Sequence, residues 1–165
     1  MRAFLLLALL CVRLGVLFAQ NTSTSSNPTQ KGATLHAEGT FDVTIKPEAS
    51  EAKVEGLPMG RMSIDKQYHG AIEGTGKGEM LTAGTGSGSG AYVAIERVTG
   101  TLNGRKGTFI LHHRGIMTKG TPDLTIFVVP DSGTGQLAGL TGQMTIKVTE
   151  GKHFYDLEYR LSDTP

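Results

Sequence analysis

Glu79, Tyr92, Glu96, His113 and Tyr155 are the residues of this sequence whose side chains, if gathered, could do chemistry. Carboxylates, an imidazole and phenols within reach of one another can share a proton as general acid and base. They can equally anchor the polar end of a ligand in an otherwise apolar cavity. Glu96 is central. It falls in phase with Tyr92, Ala94 and Val98, while Val93, Ile95 and Arg97 take the opposite phase. Both phases hold apolar residues, so alternation leaves open which one points inward. If Tyr92 and Glu96 face inward, the buried carboxylate needs a partner. Arg97, on the other face, cannot supply it; His113, Glu79 and Tyr155 are the candidates. The plain alternative is a polar network that ties strands together and binds nothing.

Other chemistries fail on spacing. Gly76-Lys77 is followed by Gly78, and Ala71 stands where a phosphate-binding loop needs glycine. Gly133-Thr134-Gly135-Gln136-Leu137-Ala138 spells a dinucleotide fingerprint. Gly139 and Gly142, however, deny it the helix whose N-terminus would receive the pyrophosphate, so it reads as a turn. His112 and His113 are adjacent on a strand and point to opposite faces. His36, His69 and His153 lie on other strands with no ligand spacing, so no metal is expected. No serine or threonine sits in a nucleophile motif, and no cofactor is expected.

The elements that must position these side chains have a period of two. Phe41, Val43 and Ile45 alternate with Asp42, Thr44 and Lys46; Met62, Ile64 and Lys66 with Ser63, Asp65 and Gln67; Met144, Ile146 and Val148 with Thr145, Lys147 and Thr149. Frequent glycine and β-branched residues exclude long helices. Eight strands are expected, over 33–46, 60–73, 76–83, 90–102, 105–114, 122–130, 141–150 and 152–161. Asn103-Gly104 and Glu150-Gly151 mark tight hairpins, and Pro130-Asp131-Ser132-Gly133 marks a turn. Sequential antiparallel strands with short links hide their edges by closing, so the fold expected is all-β, an eight-stranded antiparallel closed β-barrel, with a sandwich as its rival. One strand is apolar on both faces: Leu124, Ile126 and Val128 on one, Phe127 and Val129 on the other. Either a terminal segment covers it, or residues 124–129 form a homodimer contact.

The ends and the charge set the compartment. Of 165 residues, the first nineteen read as a signal peptide: Met1-Arg2, an apolar run to Val12, then Arg13 and apolar residues up to Ala19, the expected cleavage site. The run is too short for a membrane span of ~20 residues. Residues 20–32 read as a flexible linker and 33–162 as the barrel domain. An exported protein, periplasmic or secreted, is therefore expected. Removing Arg2 and Arg13 takes sixteen basic residues to fourteen against fifteen acidic ones, a formal charge of −1. That balance excludes the basic excess of a nucleic-acid binder. Cys11, the single cysteine, leaves with the same segment, so neither disulfides nor thiol chemistry can serve the mature chain.

Several motifs in order carry a resemblance. They are Tyr68-His69-Gly70-Ala71-Ile72-Glu73-Gly74 with Gly76 and Glu79; Ala94-Ile95-Glu96-Arg97-Val98 with Gly100, Leu102, Gly104, Arg105 and Gly107; Phe109-Ile110-Leu111 and His113; and Val129-Pro130, Gly133-Thr134-Gly135, Leu137-Ala138-Gly139-Leu140 and Gly142. The chain from Ala33 to Leu161 resembles the bacterial domain-of-unknown-function family numbered 3224. That resemblance implies an eight-stranded barrel similar in fold to plant allene oxide cyclases, without an established activity. The chain departs from the family's pattern at His112, where glutamine is expected, and in the stretch before Tyr92, which holds only glycine, serine and threonine where acidic residues are expected. The leading expectation is a binding module for a small, partly apolar molecule in the lumen or mouth. The alternatives are a cyclase- or isomerase-type enzyme, and a self-associating structural barrel with a filled core.

Overall fold

Period-two alternation becomes strand almost everywhere that the computed structural model describes, which is residues 33–49 and 59–162. The expected signal peptide and the whole of the expected linker lie outside those residues. The strands are β1 (Leu35–Glu48), β2 (Met59–Gly70), β3 (Ile72–Gly84), β4 (Gly90–Leu102), β5 (Arg105–Thr118), β6 (Thr121–Val128), β7 (Leu140–Thr149) and β8 (Lys152–Leu161). Each pairs antiparallel with its neighbours in sequence, and β8 returns to β1, from Leu35 opposite Tyr159 to Phe41 opposite His153. The sheet is a closed barrel, not a sandwich.

Two-residue turns make three of the corners. Asn103-Gly104, Lys119-Gly120 and Glu150-Gly151 all take positive φ at both residues, the twist that a tight hairpin requires. With the corner made by Lys119-Gly120, β5 runs on to Thr118 instead of ending at 114. The break between β2 and β3 falls at Ala71 instead of 74–75, because Gly70 turns the corner with φ +105. Ala71 is pinned there: its N–H donates to the Glu38 carbonyl at 3.0 Å, and its carbonyl accepts from Asn103 N–H at 2.7 Å.

The barrel interior is filled at one end only. At the end holding the β2–β3, β4–β5 and β6–β7 connections, Ile72, Leu102, Phe109, Leu111, Leu137, Leu140, Leu157 and Tyr159 pack into a solvent-free core. Leu137 comes from a single 3-10 turn, Gly135–Leu137, inside the long β6–β7 connection. That connection lies beside the first half of β5. Ser132 Oγ, Thr134 Oγ1 and Gln136 Oε1 accept the N–H groups of Ile110, Thr108 and Lys106 at 3.0, 3.0 and 2.8 Å. The fingerprint-like glycine run is thus a strap that plugs the barrel.

The wall is weakest between β6 and β7. Their register pairs only Ile126 with Met144 and Phe127 with Gln143. Toward the opposite end the two strands share no ladder, so the barrel has a seam there. Pro122 and Asp123 of β6 and Lys147 of β7 flank it, residue types that discourage a further strand from adding to an edge. The strand that is apolar on both faces is resolved in part. Ile126 and Val128 enter the core, while Phe127 stays exposed on the outside with no described segment over it.

Bare backbone on the inner face of β3 lets the middle of the barrel close. Gly76 stands opposite Lys66 on β2 and Val98 on β4. A Cβ there would overlap Glu96 Oε1 and come within 2.9 Å of the Tyr68 ring. Gly76→Ala is expected to lower unfolding free energy by about 1–3 kcal/mol. Gly86→Ala, where a Cβ meets nothing within 4 Å, is expected to change it by less than ~0.5 kcal/mol. Urea titration of the two variants measures the contrast.

Candidate ligand-binding cavity

The inner phase of β4 is the one that carries Glu96. Ala94, Glu96 and Val98 are all buried, whereas Val93 and Ile95 face solvent. Glu96 is 0% exposed and must be matched where it lies. Its side chain crosses the glycine face of β3 to reach β2. There Lys66 Nζ donates to Oε2 at 2.7 Å and Tyr68 Oη donates to Oε1 at 2.8 Å. From β5, opposite Ala94, His113 Nε2 comes within 3.1 Å of Oε2. The nitrogen lies off the hydrogen-bonding line, so this buried atom has no hydrogen-bond partner among the described residues. Lys66 and His113 are themselves only 5% and 4% exposed. The Lys66 ammonium also stands 4.6 Å from the centre of the Phe41 ring, a cation–π contact.

Competing effects set the ionisation of this group. Burial pushes the Glu96 carboxyl upward, but the close His113 imidazole and the charge of Lys66 outweigh it, leaving the group below its ordinary value of 4.5. Burial, reinforced by the neighbouring Glu96 charge, holds the Tyr68 phenol well above 10.0. At neutral pH Glu96 is therefore a carboxylate paired with Lys66, beside a phenol that stays protonated.

Above this cluster the barrel is hollow. A cavity of about 490 Å³ opens at the end away from the packed core. Phe41, Val43, Ile64, Met80, Leu124 and Ile146 are among its apolar wall residues, and Lys66, Tyr92, His113 and His153 are among its few polar groups. His153 stacks on Phe41, ring centres 4.9 Å apart. The Tyr92 ring lies over Gly115 of the paired strand, where any Cβ would overlap it. Burial, then the Glu96 charge, raises the Tyr92 phenol above 10.0. Apolar residues continue to the rim: Ile45, Met117, Leu124 and Val148 follow the inner phase of their strands yet remain exposed. Leu124 and Ile146 place the β6–β7 seam in the cavity wall.

Of the five residues singled out by the sequence, Glu96 and His113 meet, and Tyr92 joins His113 in the cavity wall. Glu79 does not belong. It follows the outer phase of β3 and forms a two-pronged pair with Arg61, at 2.5 and 3.1 Å. Tyr155 points inward but sits one layer deeper. It packs edge-on against Tyr68, accepts the Ile72 N–H at 2.7 Å and donates to the His69 carbonyl at 3.3 Å, fastening the β2–β3 corner. Sequence reasoning missed Lys66 as the counter-ion, although it stands in phase with Met62 and Ile64 on an otherwise apolar face. A lysine in that phase is the signal of a buried charge whose partner lies elsewhere.

The profile of a family described as "Protein of unknown function (DUF3224)" matches residues 37–159. A crystal structure of a protein with unknown function from that family, from Shewanella oneidensis MR-1, is similar to this chain. The two are 45% identical, with a TM-score of 0.76, over 80% of this chain and 100% of that one. No functionally curated protein matches the sequence.

Removing the Glu96 charge leaves Lys66 buried and unmatched, so Glu96→Gln is expected to cost about 3–5 kcal/mol at neutral pH. Replacing both, as Lys66→Met with Glu96→Gln, should recover most of that loss. A carboxylate held below its ordinary value stabilises the fold above pH 4.5 and loses that contribution as the pH falls further. The gap between wild type and Glu96→Gln should therefore be widest at neutral pH and shrink in acid. Denaturant unfolding at a series of pH values checks both.

Proposed function

The chain belongs to the DUF3224 family, and from that premise we propose that it is an exported barrel that binds a small, largely apolar molecule in its open half. The observation that carries this reading is the half-filled interior. Eight strands can pack their lumen solid, and here one end does. At the other, inward-phase positions line a hollow of about 490 Å³ with apolar side chains around a few polar groups. That volume lies within the ~300–1,000 Å³ range of small-molecule sites. Exposed apolar residues at the rim, Ile45, Met117 and Val148, suit an occupant that reaches the mouth.

Binding is favoured over a cyclase- or isomerase-type reaction by the placement of Glu96. Its carboxylate is held by Lys66, Tyr68 and His113 and forms no part of the cavity wall, so it stands behind the polar groups a substrate would touch. Self-association is supported separately by the exposed Leu81, Val93, Ile95 and Phe127 on the outer faces of β3, β4 and β6. This reading extends the contact expected at residues 124–129 to a broader outer face. Sedimentation of wild type beside Ile95→Lys and Phe127→Asp tests it: an oligomer that both variants dissociate supports the contact, and a monomeric wild type removes it.

Export is read from the N-terminal sequence, Met1 to Ala19. Expressed with that segment in a bacterial host, the protein should be recovered outside the cytoplasm beginning at Gln20, as determined by intact mass. Ligand binding should raise the thermal midpoint of the wild type when uncharged aliphatic alcohols or ketones are added. Ile146→Trp, which puts a large ring into the wall, should abolish the rise. No shift with any such compound, in wild type as in Ile146→Trp, overturns the binding reading.

A further inference from the structure

The charge balance of the cavity floor restricts what can occupy it. Among the described residues Lys66 is the one buried lysine or arginine at the floor, and its Nζ is 2.7 Å from Glu96 Oε2, so each charge is cancelled where it stands. The other polar groups in the wall are the Tyr92 phenol, the imidazoles of His113 and His153, and Thr82, which donates to the Gly60 carbonyl at 3.4 Å. Asp123, at the rim, is already paired with Arg114 at 3.2 Å. An ionised group brought to the floor finds no free counter-charge among the described residues, and burying a charge without one costs far more than burying a hydrogen-bonding neutral group.

We propose that the occupant is an apolar molecule whose inner end is uncharged and forms hydrogen bonds, such as an alcohol, ketone or ester, and that Glu96 is the residue that excludes anions from the site. Glu96 acts through Lys66. Without the carboxylate, the ammonium at the cavity floor becomes a counter-ion for an acid. Without the ammonium, the carboxylate would favour an amine. Gly76 belongs to the same device, because bare backbone there on β3 is what lets a β4 carboxylate reach a β2 ammonium. This inference rests on the binding reading above and adds the chemical class of ligand.

The test is calorimetric binding of decanol, decanoate and decylammonium to the wild-type protein at neutral pH, where the acid and the amine are both ionised. Decanol is expected to bind at least about tenfold more tightly than either ion. Glu96→Gln should raise the affinity for decanoate at least about tenfold relative to decanol, and Lys66→Met should shift preference toward decylammonium. A merely structural role for the pair would weaken all three probes alike. If decanoate or decylammonium binds the wild type as tightly as decanol, the inference is overturned, whether or not the variants fold. If no probe binds, the cavity-binding reading falls first and the inference falls with it.

Discussion

A carboxylate with no exposed surface has to be matched by groups brought to it, and in this barrel Lys66, Tyr68 and His113 arrive from two different strands to do so. Much of the local architecture serves that one constraint. β3 gives up side chains on its inner face so that Glu96 can pass over it. Phe41 turns its ring to the ammonium, and Tyr155 supports Tyr68 from below. A buried ion pair is an expensive way to hold strands together, since well-packed apolar residues often do as well or better. At the floor of a cavity it is a property of that floor before it is a source of stability.

The cluster also marks where packing stops. Beneath it, aliphatic and aromatic side chains and the Leu137 plug fill the lumen; above it, the lumen is hollow. The β6–β7 seam opens on the hollow side because β6 is eight residues long and its pairing with β7 ends after two positions. On the packed side, the strap from Ser132 to Gln136 takes over the hydrogen bonds of β5 that β6 does not reach. One end of the barrel is thus held by a strap and a plug, and the other is left open at its rim.

Much of this was legible in advance. Alternation and the Asn-Gly and Glu-Gly turns mark all eight strands, and the strand positions differ chiefly where a corner depends on a backbone angle, as at Gly70 and Lys119-Gly120. Glu96 and His113 stand out as titratable residues in apolar phase. Glu79 misleads because its neighbours Met80 and Leu81 are both apolar, so local sequence does not say which phase of β3 is inside. Lys66 is overlooked because a lysine in an amphipathic strand usually faces water, and the reason it does not lies thirty residues away in the sequence.

By itself the sequence determines period, strand count, turn chemistry and the near-neutral charge, because these depend on neighbours a few residues apart. Which face is inside, which carboxylate meets which cation, and how much of the lumen stays empty are decided only when β8 closes on β1. Closure sets the shear and curvature that bring inner-phase residues of β2, β4 and β5 to one level of the barrel. Contacts across a closed sheet depend on that register, and no stretch of local sequence encodes it.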